Sequence, residues 1–238
     1  MSNSGTPKEP WPQLAVWDRE ITNRAEKERL AQVLAKQLKN GDTVGVGSGS
    51  TSFLVLIALA DKCTREDLSF TAIPTSLEME LHCAALNIPT TSLSVARPDW
   101  SFDGADEADK ADNLIKGRGG AFFREKILIR ASKQVFIVID STKRVSQLGK
   151  KFPVPVEVYP GALRLVRDIL ESSANVTTVD LRQAKGKDGP VVTENGNLIL
   201  DVKFSKIMPD TESYLKSIVG VIESGLFIGY KPTIISDN

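Results

Sequence analysis

The sequence predicts a doubly wound, Rossmann-like α/β fold: an open, mostly parallel sheet with helices on both faces, joined to a smaller α+β (ferredoxin-like) unit. Three observations predict it. Short apolar runs alternate with helical periods through residue 149, as in strands linked by crossover helices. The run Gln134–Ile139, QVFIVI, is apolar at every second position and between, which suits a parallel strand covered on both faces. Beyond residue 150 the order becomes β-α-β-β-α, with Asn195-Gly196-Asn197 as a hairpin signal.

Each element has its own reason. Residues 1–18 are polar and proline-rich and are expected to be a flexible tail, with no apolar core of a secretion signal. Asp18–Leu38 has Ala25, Leu30, Val33, Leu34 and Leu38 at helical spacing and stops at Asn40-Gly41. A strand at Thr43–Gly47 leads to a helix at Ser50–Asp61, and one at Ser69–Ile73 to a helix at Leu77–Leu86. Thr90–Val95 and Trp100–Phe102 read as strands, Gly120–Ser132 as a helix and Gln134–Ile139 as a strand. In the second unit, strands are expected at Val154–Val158, Val176–Leu181 and Val191–Phe204, with helices at Ala162–Ser173 and Thr211–Ile218. The tail from Gly225 to Ser236 holds a last apolar strand pair that returns to the first unit. The expected domains are therefore 19–149 with 226–238, and 150–225.

Composition excludes several functions. Thirty basic and thirty acidic residues cancel, so no nucleic-acid or anionic-membrane partner is expected. The apolar run Phe53–Ala60 is too short to span a bilayer. Cys63 and Cys83 have no metal-ligand spacing and suit a reducing cytosol, so a soluble cytoplasmic protein is expected. His82 is the one histidine, which leaves histidine triads and zinc sites without partners. It reads as a packed or surface residue, and Trp11, Trp17 and Trp100 read as packing.

Chemistry concentrates in WSFDGADEADKADNLIKGRGGAFFREK, residues 100–126. Carboxylates at Asp103, Asp106 and Glu125 stand near Lys116 and the loop Gly117-Arg118-Gly119, which points to a site for a small anion. A carboxylate tuned by burial and a cation that holds an enediolate oxygen would serve aldose–ketose isomerisation. The bland alternative has Asp103 and Asp106 capping a turn and Glu125 pairing with Arg124 or Lys126; a Mg²⁺ site is a third, against which Lys116 and Arg118 compete. Gly45-Val46-Gly47-Ser48-Gly49-Ser50-Thr51 departs from both the dinucleotide and Walker A patterns. It suits either a sugar-phosphate cradle at a helix N-terminus or an ordinary turn with Ser50 as N-cap. Four polar loops (48–51, 75–76, 103–106 and 140–143) each follow an expected strand and so converge on one crevice.

Taken together and in order, these segments resemble type A ribose-5-phosphate isomerases. The resemblance rests on VGVGSGST (44–51), IPTS (73–76), DGADEAD (103–109), LIKGRGGAFFREKI (114–127), FIVIDSTKRVSQLG (136–149), PVEVYP (155–160), GPVVTENGNLILDVKF (189–204) and GVIESGLF (220–227). It implies cofactor-free interconversion of D-ribose 5-phosphate and D-ribulose 5-phosphate, with no metal. Glu125 would be the base, Asp103 would assist ring opening, Asp106 would bind hydroxyls and Lys116 would hold the oxyanion. Ser48, Gly49, Ser50, Thr51 and Lys143 would bind substrate around its phosphate, with Gly104, Ala105, Gly117, Arg118 and Gly119 lining the loops. The second unit would act as lid and subunit contact in a homodimer or tetramer. Two departures stand out: the family's KGGG reads Lys116-Gly117-Arg118-Gly119, and its GTGST reads Gly47-Ser48-Gly49-Ser50-Thr51.

Overall fold

The computed structural model describes Trp17, residues 19–186 and residues 188–237. The expected tail, Trp17 apart, lies outside the described residues, as does Trp11. In chain order the elements are α1 (Arg24–Ala35), β1 (Asp42–Val46), α2 (Ser50–Glu66), β2 (Phe70–Pro74), α3 (Leu77–Ala85), β3 (Trp100–Asp103), β4 (Glu107–Ala108), β5 (Leu114–Ile115), α4 (Phe122–Ala131) and β6 (Gln134–Val138). They continue with β7 (Val154–Val158), α5 (Leu163–Glu171), β8 (Val176–Leu181), β9 (Leu198–Phe204), α6 (Thr211–Ser217), β10 (Val221–Ser224), β11 (Leu226–Phe227) and β12 (Thr233–Ile235).

The central sheet has the order β12-β6-β3-β1-β2, and every neighbouring pair is parallel. Parallel pairing needs crossovers, and the amphipathic helices supply them. One large apolar cluster joins Leu30 and Leu34 of α1, Val55 and Leu59 of α2, and Met79 of α3 to Val44 and Phe102 of the sheet. Chain order reverses between β1 and β3, since β2 lies on one side of β1 and β3 on the other. Such a switch point opens a crevice at the carboxyl ends of the strands. The late strand β12 returns to the sheet edge beside β6, as the apolar tail predicted.

The second sheet, β10-β7-β9-β8, is antiparallel throughout, with α5 and α6 packed in its own apolar cluster around Val156, Val166, Leu170, Leu200 and Leu215. Strand β10 adds the sixth element to the expected β-α-β-β-α and completes the ferredoxin-like order. A small antiparallel sheet, β11-β5-β4, takes β4 and β5 from the chain between β3 and β6 and β11 from the chain between β10 and β12. Its apolar cluster joins Phe122, Ile137, Ile199 and Phe227, residues drawn from all parts of the fold.

Several elements differ from expectation. Thr90–Val95 is not a strand: Thr90 alone bridges Ala72, and the chain then turns through Val95 N–H to Ser92 O at 3.0 Å. Val95 is 80% exposed, so this stretch has no apolar face to bury against β2. Helix α1 begins at Arg24 because Asn23 takes a left-handed conformation, φ 54°. The Val191–Phe204 segment is a strand only from Leu198. Its turn at residues 193–197 forms as expected, with Thr193 N–H donating to Asn197 O at 2.8 Å, but the arm before it makes a single bridge from Val192 to Leu198. Trp17 and Phe53 pack on the buried His82, and Trp100 packs on Phe102 and Phe136 while its Nε1–H reaches Asp42. Among the described residues no helix is long and apolar enough to cross a membrane.

Candidate active site

The loops after β1, β2 and β3 meet at the switch point through Ser48 with Thr75 and Ser76 and through Ser52 with Asp103, while the loop after β6 makes its contacts with Asn23, Glu26 and Lys27 at the start of α1. At the floor of the switch point, Gly47 N–H donates to Phe102 O at 2.9 Å, and a Cβ on Gly47 would lie 2.1 Å from Asp103 Cγ. Only glycine lets the Asp103 side chain cross the end of β1. That carboxylate is then held from every side. Its Oδ1 accepts Gly104 N–H at 2.7 Å and Ser52 Oγ–H at 3.2 Å, while Oδ2 pairs with Lys116 Nζ at 2.8 Å.

Lys116 follows β5 and is anchored through its N–H to Gly225 O at 2.9 Å. Its ammonium donates to Gly104 O at 2.6 Å and lies 3.0 Å from Glu125 Oε2, on the first turns of α4. The Glu125 oxygen has no well-aligned hydrogen bond despite that distance, so the contact is an ion pair that a bound group can rearrange. All three side chains are at most 6% exposed. Arg124 and Lys126, which flank Glu125, pair elsewhere: Arg124 with Glu194, and Lys126 with Glu212 and Glu223.

Two carboxylates thus share one ammonium in a buried site. Burial pushes the Glu125 carboxyl up, the Asp103 charge adds to it, and Lys116 only partly opposes them, leaving it at about 8. Asp103 is also raised by burial, against the pull of Lys116, the Gly104 N–H and Ser52. For Lys116, burial works against the charged form, but Asp103 and Glu125 overcome it and hold the ammonium above its ordinary range. The arrangement is a buried cation beside a carboxyl whose pKa is raised toward neutral pH.

The remaining expected residues surround this trio. Asp106 does not reach Lys116; its Oδ2 accepts Arg118 N–H at 3.0 Å and so ties down the 116–119 loop. Arg182, paired with Asp201 on β9, donates to Gly117 O at 2.8 Å and Arg118 O at 3.1 Å from the other side. Gly117 is buried, while Arg118 and Gly119 are exposed. Ser48 Oγ sits 2.9 Å from both Thr75 Oγ1 and Ser76 Oγ, which joins the first two loops. Ser50 is not the N-cap of α2: Gly49 holds that place with φ 87°, and no side chain caps the helix. Its first N–H groups therefore lack the usual side-chain acceptor. Thr51 lies against Gly104, 3.4 Å from where a Cβ would stand there, and Ala105 packs on the Phe122–Phe227 cluster. Lys143 ends the turn after β6, with Nζ 5.4 Å from the Phe152 ring centre.

Two cations, Lys27 and Arg182, escaped the sequence reading. Lys27, on α1, is 5% exposed, with Nζ 3.6 Å from Asp140 Oδ2. Burial lowers its pKa against the attraction of Asp140, and the charge of nearby Lys143 lowers it further. Its signal was available, since residue 27 shares the apolar face of Leu30, Ala31 and Leu34, where a lysine is out of place. Arg182 gave no such signal. Among the described residues, no group of three or more His, Cys, Asp or Glu side chains is placed to hold a metal ion; the cation between Asp103 and Glu125 is Lys116.

Known proteins share this chain over most of its length. Residues 71–238 match the family model of ribose 5-phosphate isomerase A (phosphoriboisomerase A). The ribose-5-phosphate isomerase A of Thermosynechococcus vestitus is 41% identical over 214 residues, 88% of this chain and 89% of that protein. That of Methanothermobacter thermautotrophicus is 40% identical over 212 residues, 88% of this chain and 92% of its own length. Among solved structures, ribose 5-phosphate isomerase A from Methanocaldococcus jannaschii superposes with a TM-score of 0.86 at 34% identity, covering 91% of this chain and 96% of that one. A D-ribose-5-phosphate isomerase in complex with phospho-erythronic acid gives 0.85 at 36% identity, over 90% of this chain and 95% of that one. With the fold, the length and the sequence all in agreement, the chain belongs to the ribose 5-phosphate isomerase A family.

Proposed function

We propose that the protein interconverts D-ribose 5-phosphate and D-ribulose 5-phosphate through a cis-enediolate. The observation that carries this reading is Lys116 Nζ between Asp103 and Glu125, with the Glu125 carboxyl raised to about 8. A general base works best with a pKa near the working pH, and burial tunes Glu125 to that range. Glu125 takes the proton from C2, and the electrons of that C–H bond form the C1–C2 double bond as charge moves to O1. The same carboxyl then returns the proton to C1, and the carbonyl re-forms at C2 as the O2 proton passes to O1, which becomes the C1 hydroxyl. Lys116 holds the oxygen on which charge develops, in a site that excludes water. Asp103 assists ring opening and proton movement at the sugar oxygens, and Asp106 binds hydroxyls.

The phosphate binds where the N–H groups of α2 open beside Ser48, Gly49, Ser50 and Thr51, with Lys143 and Lys27 as cations. A relative's complex with phospho-erythronic acid, a phosphorylated four-carbon acid, supports a phosphorylated sugar as ligand. No cofactor is needed for these steps. Residues 19–149 with 226–238 form the catalytic domain, and 150–225 form a lid that also makes subunit contacts in a cytoplasmic homodimer. What supports the lid is the grip of Arg182 on the 117–118 carbonyls and of Glu194 on Arg124.

The test is turnover of D-ribose 5-phosphate in EDTA, beside other aldose phosphates and free pentoses. Fast conversion of ribose 5-phosphate above the rest is expected. Binding without turnover, preference for another sugar, or activity that returns only with added Mg²⁺ would overturn the reading.

A further inference from the structure

Two cations of this chain lie near one aromatic ring, and neither cationic head is paired with an acid among the described residues. Arg118 Cζ lies 5.7 Å from the centre of the Phe152 ring, and Lys143 Nζ lies 5.4 Å from the same centre. Neither side chain makes a hydrogen bond or ion pair among the described residues, whereas Lys27, Lys116, Arg124, Lys126, Arg144 and Arg182 each pair with an acid. Phe152 itself is fixed. The fully buried Glu107 carboxylate accepts Gly149 N–H at 2.6 Å, Phe152 N–H at 2.9 Å and Lys151 N–H, so three donors of one loop close on one side chain. Arg118 is fixed at its backbone, by Asp106 on its N–H and Arg182 on its carbonyl, but its guanidinium is exposed.

Cationic heads that bind no carboxylate favour an anion, and an exposed stack on a ring is weaker than a charge-assisted hydrogen bond to phosphate. A guanidinium also offers a planar fork that matches two phosphate oxygens, which an ammonium cannot. We propose that Arg118 is a second phosphate-binding cation of this chain, with Phe152 as the positioning residue that holds Arg118 and Lys143 at the phosphate end of the site. The inference rests on the isomerase reading for the identity of the phosphate, and it assigns a specificity role to the position where the family's usual loop has glycine. The ligand class is a dianionic phosphate monoester, and Arg118 makes the site discriminate more strongly against unphosphorylated sugar.

The test measures inorganic phosphate binding by calorimetry, with kcat and KM for D-ribose 5-phosphate, in the parent, R118G and F152L. R118G is expected to weaken phosphate binding and to raise KM by about tenfold each, the effect of one charge-assisted hydrogen bond, with kcat near that of the parent. F152L should shift both in the same direction, and the double variant should lose less than the product of the two single effects, because the ring acts through Arg118. Phosphate affinity and KM within twofold of the parent in R118G would overturn the proposal, and a full product in the double variant would remove Phe152 from it. Calorimetry needs no turnover, so a parent that binds phosphate but does not isomerise ribose 5-phosphate would sink the isomerase reading and leave the Arg118 result readable.

Discussion

Lys116 Nζ lies 3.0 Å from Glu125 Oε2 and 2.8 Å from Asp103 Oδ2, so one ammonium is shared by two carboxylates that the sequence separates by more than twenty residues. With one positive and two negative charges in a buried site, a proton is held more tightly than on either carboxyl alone. Burial first, with the Asp103 charge added and Lys116 partly opposing them, places Glu125 at about 8 and sets how the protein responds to pH.

In the proposed mechanism the ionised form of Glu125 is the base. Because its pKa is raised to about 8, kcat/KM for ribose 5-phosphate should rise with pH through that value and level off above it. The carboxyl pair titrates as a unit, so the limb is a property of the pair. A profile already flat between pH 5 and 9 would place the base elsewhere.

Stability should respond to Lys116 in the opposite sense. The Glu125 carboxyl is raised above its unfolded value of 4.5, so the stability tied to its bound proton is complete below that pH. It is lost as pH rises through about 8. Lys116→Met leaves both carboxylates buried without a cation, at a cost of roughly 3–5 kcal/mol near pH 8. The loss of Tm should shrink toward pH 5, where protons replace the ammonium. An equal loss at both values would show that the lysine acts through packing alone.

Gly47→Ala puts a methyl 2.1 Å from Asp103 Cγ, and the carboxylate must move. Displacing it by about 1 Å is expected to lower kcat/KM on the order of 10²-fold. Strain should take roughly 1–3 kcal/mol from stability. Parent-like kinetics in this variant would separate Asp103 from the chemistry.

Lys143→Ala should raise KM for ribose 5-phosphate about tenfold with kcat little changed, since the phosphate is bound alike in ground and transition states. Turnover of unphosphorylated D-ribose serves as the control and should not respond. A fall in kcat with unchanged KM would move Lys143 out of the phosphate site.

Much of this site was legible because glycines, strand ends and charge fall together in residues 100–126. Strands with continuous apolar runs, such as Gln134–Val138, declared themselves, and their order put four polar loops at one edge. Short pairs did not: β4 and β5 have two residues each, too few for a period. Thr90–Val95 misled because β-branched residues mark a strand only where a face is buried. Lys27 and Arg182 reach the loops through tertiary packing alone, and only the buried setting of Lys27 left a trace in the helical pattern. The bland reading of Glu125, as a partner of Arg124 or Lys126, failed because both neighbours face other acids across the fold.

The central claim is that Glu125 moves the proton. The most direct measurement compares kcat for ribose 5-phosphate in the parent and in Glu125→Gln, with inorganic phosphate affinity as a check that the site is intact. The amide keeps the shape and lacks the base, so kcat should fall by roughly 10²–10⁴-fold with phosphate binding retained. Turnover within a few-fold of the parent, in a variant that binds phosphate normally, would contradict it.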